Sequence, residues 1–256
     1  MKNALITGAT SGIGASFARR LGKEKYNLYI TGRRVEIIEK LACDLRKKYN
    51  IKVTVMLVDF TLPQEVDNFL KKIEMIPFDF LINNVGFGHK KKFFDDTYKK
   101  QNEMIEAHII SFCKITHLVS KNMIDNKRGN IINVSSLAGF SPTSFNHLYS
   151  ATKSFIITFT ESLHLELSSF GIRVQVLCPG FTRSDFHNSL DIKEKTFKNR
   201  GLIRWMDPDK VTTLSLKSLN KKGGLYIPGL SNKIIYIIVK ILPKRLYYFL
   251  AKKIKI

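Results

Sequence analysis

The chain has few of the features that mark a secreted, metal-binding or membrane-spanning protein. It has three cysteines, Cys43, Cys113 and Cys178, which are scattered without the spacing of a metal site. We expect these thiols to be reduced and buried as small apolar groups, as in a cytoplasmic protein. Residues 1–7 run directly into a glycine-rich segment, so no signal peptide is expected at the N-terminus.

Acidic residues are scarce relative to basic ones. The sequence has 42 Lys and Arg against 21 Asp and Glu, a formal net charge of +21. The lysines are spread widely among many Ile and Asn residues, which indicates a background bias of composition, and no known nucleic-acid module is visible. We therefore expect no specific nucleic-acid binding, although anions in general will be attracted at low salt.

The 256 residues are enough for one large core, and short apolar segments alternate with amphipathic ones. The expected strands are residues 2–7, 27–31, 53–58, 78–83, 130–135, 172–178 and 223–228. The expected helices are residues 12–21 (closed by Gly22), 35–49, one opened by Pro63, 98–122 and 150–168. This alternation predicts an α/β fold, a single Rossmann-like doubly wound parallel sheet with helices on both faces. The continuous apolar run at 53–58 predicts a strand buried on both faces.

The most informative motif is the glycine-rich run that follows the first expected strand. It reads Thr7-Gly8-Ala9-Thr10-Ser11-Gly12-Ile13-Gly14. A strand before it and a helix after it are the context that dinucleotide binding requires. The glycines allow a tight turn and let backbone N–H groups approach a pyrophosphate at the helix N-terminus, where negative charge is favoured. The motif therefore predicts a phosphate cradle.

A second motif places Tyr149 and Lys153 one helical turn apart on the same face. Reducing a ketone requires a hydride at carbon and a proton at oxygen, and an unperturbed phenol has a pKa near ~10. A nearby cation favours the phenolate, so we expect Lys153 to move the pKa of Tyr149 towards the working pH. Ser136 could hydrogen-bond the carbonyl oxygen and hold it near Tyr149. A Tyr/Lys pair alone is ordinary surface decoration, but with Ser136 and the glycine motif it predicts catalysis.

In this order and spacing, the motifs resemble those of the short-chain dehydrogenase/reductase family over almost the whole chain. The matching positions are Thr7–Gly14, Asp59, Asn83–Gly86, Ser136, Tyr149, Lys153, Pro179 and Gly180. Residues 129–186 are particularly similar to a bacterial branch of oxidoreductases. The resemblance implies that Ser136, Tyr149 and Lys153 are catalytic and that Lys153 also holds the nicotinamide ribose. It further implies a homo-oligomer, a dimer or tetramer formed through two long helices.

The cofactor-binding positions come from this resemblance and from the end of the second strand. They are Gly8, Ser11, Gly12, Ile13, Gly14, Arg33, Asp59, Asn83, Gly86, Tyr149, Lys153, Pro179, Gly180 and Thr182. Asp59 resembles the residue that contacts the adenine, and Thr182 the one near the carboxamide and phosphates. Arg33 stands where an acidic residue would accept hydrogen bonds from a free ribose 2′-hydroxyl. Since Arg pairs well with a 2′-phosphate, we expect NADP(H).

Two positions depart from the family pattern. His108 stands where an Asn usually completes a catalytic tetrad, its backbone carbonyl holding a relay water at a helix kink. Backbone chemistry survives this substitution, so our hypothesis is that the relay persists and that the imidazole could titrate in it. The alternative is that His108 only packs in the helix. Val85 stands where Ala is usual, and we expect local repacking without loss of cofactor binding.

The substrate lid and the C-terminal tail complete the predicted organisation. Residues 182–206 are expected to cover the substrate, and their aromatic side chains favour an apolar ketone, aldehyde or 3-oxoacyl-type substrate. Residues 1–230 are expected to form the NADP-binding domain, followed by a basic amphipathic tail at 231–256, and no Asp or Glu occurs in residues 221–256. Such a tail fits a peripheral contact with an anionic membrane, or docking on its own domain or a neighbouring subunit.

These observations predict a cytoplasmic, NADPH-dependent oxidoreductase that transfers a hydride between nicotinamide and a small-molecule carbonyl or alcohol. The competing class is a non-catalytic dinucleotide-sensing or membrane-recruited binding protein on the same fold, motivated by His108 and the basic tail. The intact set of Ser136, Tyr149 and Lys153 argues against that alternative. No metal site is expected.

Overall fold

The computed structural model describes residues 2–88, 91–186, 199, 201–221 and 223–253. Within them, parallel strands form one seven-stranded sheet in the order β3-β2-β1-β4-β5-β6-β7. The strands are β1 (Asn3–Ile6), β2 (Asn27–Gly32), β3 (Val53–Leu57), β4 (Phe80–Asn83), β5 (Gly129–Val134), β6 (Ile172–Leu177) and β7 (Gly224–Tyr226). The helices are α1 (Gly12–Lys23), α2 (Val35–Tyr49), α3 (Pro63–Ile73), α4 (Tyr98–Ile105), α5 (Ser111–Asp125), α6 (His147–Leu167), α7 (Pro208–Leu219), α8 (Leu230–Ile241) and α9 (Lys244–Lys253).

The predicted doubly wound parallel sheet is confirmed, and each strand boundary lies within two residues of its expected position. The chain moves outward from β1 to β3 and then returns to pair β4 with β1. The topological switch point therefore lies between β1 and β4, where open α/β sheets bind ligands. Helix α1 continues through Gly22 instead of ending there, because this glycine permits close packing. A Cβ at Gly22 would lie 2.9 Å from Cδ2 of Tyr49.

Alternating side chains of the central strands supply two cores, one on each face of the sheet. Ala4 and Ile6 belong to a cluster completed by α1, α2 and α7, with Phe17 at its centre. Leu5 and Leu81 point to the opposite face and pack with α3, α5 and the end of α6. Because the side chains of a strand alternate between faces, both sides of each central strand must be covered by helices.

Two expectations about burial are wrong. Strand β3 is at the edge of the sheet, and only part of its apolar run is covered: Val53 is buried, but Leu57 is 54% exposed. An apolar run does not show which strand ends the sheet, since that depends on pairing. The cysteines also differ from one another. Cys178 is buried, Cys113 is half-buried, and Cys43 is exposed on the outer side of α2.

The helix expected over residues 98–122 is interrupted. Helix α4 ends at Ile105, residues 106–110 form a π-helical turn, and α5 begins at Ser111. In this turn the N–H of Ser111 bonds to the carbonyl of Glu106, one residue further back than in an α-helix. The irregular backbone that the family resemblance implied at His108 is therefore present.

We predict that Leu167→Ala lowers the free energy of unfolding by about 2–5 kcal/mol, since it leaves a cavity in the core under the sheet. Leu167 is 1% exposed, whereas Leu165 in the same helix is 77% exposed. Leu165→Ala is the matched control and should change stability by less than about 0.5 kcal/mol. Urea unfolding followed by circular dichroism measures both variants. Equal losses for the two would contradict the assigned packing of α6.

Candidate functional site

The loops that follow β1, β4, β5 and β6 meet at one edge of the sheet. They begin at Thr7, Asn84, Ser135 and Cys178. Because parallel strands place their carboxyl ends on the same side, residues far apart in sequence converge there. Helix α6 starts at this edge and brings Tyr149 and Lys153 into its first two turns.

The glycine loop after β1 forms a tight cradle against the loop after β4. Gly8 and Gly12 have φ values of +66° and +54°, a region that L side chains rarely adopt. A Cβ on Gly14 would overlap the carbonyl oxygen of Gly8, which accepts a 2.8 Å hydrogen bond from the side chain of Asn84. Ser11 precedes α1 without a side-chain capping bond, and Ile13 packs on the core. The N-terminus of α1 thus fits a dinucleotide phosphate.

The loop after β4 is fastened to the loop after β1. Oγ1 of Thr7 accepts a hydrogen bond of 3.0 Å from the N–H of Asn84. The side chain of Asn83, a predicted cofactor contact, lies in the interior instead. Its Nδ2 donates to Oγ1 of Thr116 at 2.9 Å and to Oδ1 of Asn133 at 3.0 Å. This amide group therefore ties β4 to β5 and α5.

Lys153 is the most deeply buried charged group of the site. It is 3% exposed, and its Nζ donates a 3.0 Å hydrogen bond to the carbonyl of Val134 at the end of β5. A Cβ on Gly86 would lie 3.1 Å from this nitrogen, so the glycine leaves room for the ammonium group. Burial lowers the pKa of Lys153 to about 8, because removal from water disfavours the charged form.

Tyr149 lies beside Lys153, but the lysine does not control its ionisation in the protein alone. Nζ of Lys153 is 5.7 Å from the centre of the tyrosine ring. Burial raises the pKa of Tyr149 to about 12, and a hydrogen bond with Ser136 opposes this rise only in part. In this structure the pKa of Tyr149 is therefore raised and not lowered as expected, since desolvation of the phenolate outweighs the hydrogen bond with Ser136. The phenol remains protonated, which is the form that donates a proton.

Ser136 begins the short helical turn at Leu137–Gly139, where its Oγ accepts a hydrogen bond of 3.1 Å from the N–H of Ala138. The preceding Ser135 fastens this loop to α6 by donating to the carbonyl of Lys153 at 2.7 Å. The structure therefore brings the hydroxyls of Ser136 and Tyr149 together, as the sequence predicts.

His108 is 1% exposed and uses both ring nitrogens. Its Nε2 accepts from the N–H of Phe87 at 3.0 Å, so the ring proton belongs on Nδ1, which lies 3.0 Å from Oγ1 of Thr152. Thr152 in turn donates to the carbonyl of Tyr149 at 3.0 Å. His108 thus bridges the loop after β4 to the start of α6.

The ionisation of His108 differs from the sequence expectation. Burial, with a smaller contribution from the charge of Lys153, holds the pKa of His108 well below 6.5. The imidazole is therefore neutral at physiological pH, and the expectation that it could titrate in the relay is wrong. The persistence of the relay itself stays a hypothesis, because it depends on the backbone carbonyl rather than on the ring.

The two residues predicted to contact the adenosine half of a cofactor form an ion pair. Nη1 of Arg33 lies 2.9 Å from Oδ2 of Asp59, and Arg33 remains 59% exposed. Burial raises the pKa of Asp59, but hydrogen bonds from Thr61 and Arg33 outweigh this effect and lower it overall. The neighbouring Arg34 bonds to Thr10 of the glycine loop at 2.9 Å and to Asp185 at 2.7 Å.

The segment after β6 closes the site from the other side. The carbonyl of Pro179 accepts from the N–H of Leu137 at 3.0 Å, and Oγ1 of Thr182 donates to the carbonyl of Gly180 at 3.1 Å. The ring of Phe186 lies 5.5 Å from that of Tyr149. Most of the predicted lid, residues 187–198 and 200, lies outside the described residues.

Sequence reasoning missed several residues that organise this site. Asn84 lies within the motif Asn83–Gly86, and Thr152 lies between Tyr149 and Lys153, so the sequence carries a signal for both. Arg34 directly follows Arg33, and this adjacency is a signal too. Asn232 carried no signal. It lies in the predicted tail, yet it is buried, donates to the carbonyl of Pro228 at 2.7 Å, and occupies the space that a side chain at Gly180 would need.

Comparison with known proteins agrees with this geometry. The chain is 35% identical to the very-long-chain 3-oxoacyl-CoA reductase of Anas platyrhynchos over 181 residues, which is 69% of this chain and 58% of the relative. It therefore spans less than two thirds of that relative's length. It is also 29% identical over 247 residues to the 17-beta-hydroxysteroid dehydrogenase type 3 of Rattus norvegicus, covering 96% of this chain and 78% of the relative.

The fold recurs in solved structures, and a family model matches most of the chain. A short-chain dehydrogenase from Sphingobium yanoikuyae, solved in complex with NADPH, superposes with a TM-score of 0.85 at 25% identity, over 100% of this chain and 97% of the other. The family described as short chain dehydrogenase matches residues 2–195. This chain therefore belongs to the short-chain dehydrogenase family.

Proposed function

We propose that the protein is an NADPH-dependent reductase that converts a carbonyl group of a small apolar molecule to an alcohol. One observation carries this proposal: Ser136, a protonated Tyr149 and the buried ammonium of Lys153 converge beside a glycine cradle that fits a dinucleotide. When bound, NADPH supplies a hydride to the carbonyl carbon. The residues of the chain supply orientation and the proton.

The cofactor is expected to lie along the carboxyl edge of the sheet. Backbone N–H groups of Gly12, Ile13 and Gly14 would hold its phosphates at the start of α1. Arg33 would hold the 2′-phosphate that distinguishes NADP(H) from NAD(H), exchanging its exposed contact with Asp59 for a doubly charged partner. Lys153 would hold the nicotinamide ribose.

The proton reaches the carbonyl oxygen from the phenol of Tyr149. Ser136 donates a hydrogen bond to the same oxygen and so holds it within reach of the phenol. The phenolate that results is unfavourable at this poorly solvated position, and Lys153 is close enough to stabilise it. His108 acts through Thr152 as a positioning residue for Tyr149.

The substrate class follows from the apolar side chains near the phenol and from the relatives. The ring of Phe186 lies against Tyr149, and the ring of Phe181 contacts that of Trp205 at 5.0 Å. The curated relatives are named for very-long-chain 3-oxoacyl-CoA and hydroxysteroid substrates, whose acyl chain and steroid skeleton are large apolar groups. We infer a bulky apolar ketone, aldehyde or 3-oxoacyl group as the substrate. The non-catalytic sensor is not favoured. Within the site it was suggested only by His108, and this residue does not displace Ser136, Tyr149 or Lys153.

The assembly and location follow the expectations from the sequence. We propose a cytoplasmic dimer or tetramer, assembled through the two long helical segments expected at residues 98–122 and 150–168. Residues 231–256 would lie in peripheral contact with an anionic membrane. Sedimentation of the purified full chain tests the oligomeric state.

We predict that Tyr149→Phe lowers kcat for carbonyl reduction by about 10²–10⁴-fold, because it removes the proton donor. The affinity for NADPH should fall far less than kcat, since the glycine cradle, Arg33 and Lys153 that would hold the cofactor are unchanged. NADPH oxidation over a panel of ketones and aldehydes measures turnover, and nucleotide fluorescence measures binding. NADPH binding by the wild-type chain without turnover on any carbonyl would favour the sensor.

We predict that Arg33→Ser reduces kcat/KM for NADPH by about 10–100-fold, the loss expected for a charge-assisted contact with the 2′-phosphate. The value for NADH serves as the internal control and should stay within a few-fold, because NADH lacks that phosphate. Comparable kcat/KM values for NADH and NADPH in the wild-type enzyme would refute the proposed preference.

The pH dependence of activity should show that the titrating group is Lys153 and not His108. We expect kcat/KM for NADPH, which reports on the free enzyme and on free NADPH, to fall above a pKa of about 8, as Lys153 loses its charge. The low pKa of His108 leaves it neutral throughout, and Tyr149 stays protonated to about 12. His108→Asn should keep the same profile. A limb near pH 6.5 that disappears in this variant would assign the titration to His108.

A further inference from the structure

The outer side of helices α8 and α9 carries a row of exposed aliphatic side chains. We call these residues the tail face: Leu230, Ile234, Ile237, Ile238, Ile241 and Leu246. In α8 they recur every three or four positions and so form one stripe along the helix. Leu230 and Ile241, at the two ends of this helix, are 75% and 74% exposed. An exposed apolar stripe along one side of a helix marks an interaction surface more often than isolated exposed residues do.

The opposite side of the same two helices is already packed on the domain. Asn232 of α8 is buried against Gly180, and the ring of Tyr236 lies 4.7 Å from that of Phe140. In α9 the hydroxyl of Tyr247 donates to the carbonyl of Pro142 at 2.7 Å. These contacts hold both helices in place. The tail face is therefore not the surface by which the tail docks on its own domain.

The charges around the tail face indicate what kind of surface it would bind. No Asp or Glu occurs after Asp209, and exposed Lys233, Lys240, Lys244 and Arg245 flank the apolar stripe. Apolar residues bordered by cations suit the surface of an anionic bilayer, where aliphatic side chains enter the headgroup boundary. A second copy of the chain would place like charges opposite one another. In the described part of the chain, no helix is long and apolar enough to cross a bilayer.

We propose that the tail face docks on the surface of an anionic membrane. Tyr236 and Tyr247 contact residues 140–142, in the loop that begins at Ser136, so docking would hold the mouth of the site at the lipid boundary. An apolar carbonyl compound dissolved in the membrane would then reach Tyr149 without crossing water. This delivery rests on the proposed reductase function, whereas the docking does not.

The test is cosedimentation of the full chain with vesicles of phosphatidylcholine, with and without phosphatidylserine, at about 0.15 M salt, where long-range attraction is screened. We expect Ile237→Gln with Ile241→Gln to weaken binding to phosphatidylserine vesicles at least tenfold. Leu165→Gln, at an aliphatic residue of α6 that is 77% exposed, is the control away from the tail face and should bind like wild type. Lys244→Gln with Arg245→Gln should weaken binding several-fold.

Unchanged binding by the Ile237/Ile241 variant would overturn the proposal, because the attraction would then reflect only the net charge. A wild-type dimer that this variant dissociates, with no vesicle binding, would assign the face to a second copy instead and overturn it equally. Reduction of a water-soluble ketone by the same variant separates the two proposals. Retained turnover with lost docking supports both proposals, whereas vesicle binding by a wild-type chain that reduces no carbonyl supports docking and rejects the reductase.

Discussion

The structure depends on a parallel sheet whose central strands are buried on both faces. A strand such as β1 sends Ile6 to one core and Leu5 to the other, so helices must cover both sides. Because all the strands are parallel, each helical crossover returns the chain to the same end of the sheet. The loops after β1, β4, β5 and β6 therefore all lie at the edge formed by the carboxyl ends of the strands. The site follows from this requirement, because the edge is where the glycine cradle, Ser136 and the start of α6 come together.

Burial also explains the electrostatics of the site. The same loss of water raises the pKa of Tyr149, lowers that of Lys153 and keeps His108 neutral. In each case burial shifts the pKa towards the uncharged form, and the site holds a protonated phenol beside a lysine whose pKa of about 8 still leaves it mostly charged at neutral pH. The fixed hydrogen bonds of His108 suit this environment, because a buried imidazole with two partners has no free nitrogen to protonate. His108, at the position where the family usually has Asn, thus joins the loop after β4 to the start of α6.

The C-terminal helices α8 and α9 pack on the domain with one side and expose apolar side chains on the other. The inner side of α8 supports the loop at Gly180 through Asn232 and packs Tyr236 against Phe140, while the outer side presents isoleucines between lysines. The sequence left open whether such a tail docks on its own domain or on a membrane, and the two are compatible because they use opposite sides of the helix. Asn232 also connects the tail to the segment that closes the site. The predicted boundary at residue 230 therefore does not coincide with a break in packing.

The amino-acid sequence alone determined the parallel α/β architecture and the family, and it predicted that Ser136, Tyr149 and Lys153 share one site, because apolar periodicity and motif spacing can be read from the sequence. It also located the irregular turn at His108 through the resemblance. The exposed edge of β3, the burial of the Asn83 side chain and the ion pair of Arg33 with Asp59 could not be predicted in this way, since each depends on which strands pair. The ionisation states were decided by the tertiary structure for the same reason. A pKa depends on the water excluded by residues distant in sequence, and only the folded chain brings those residues together.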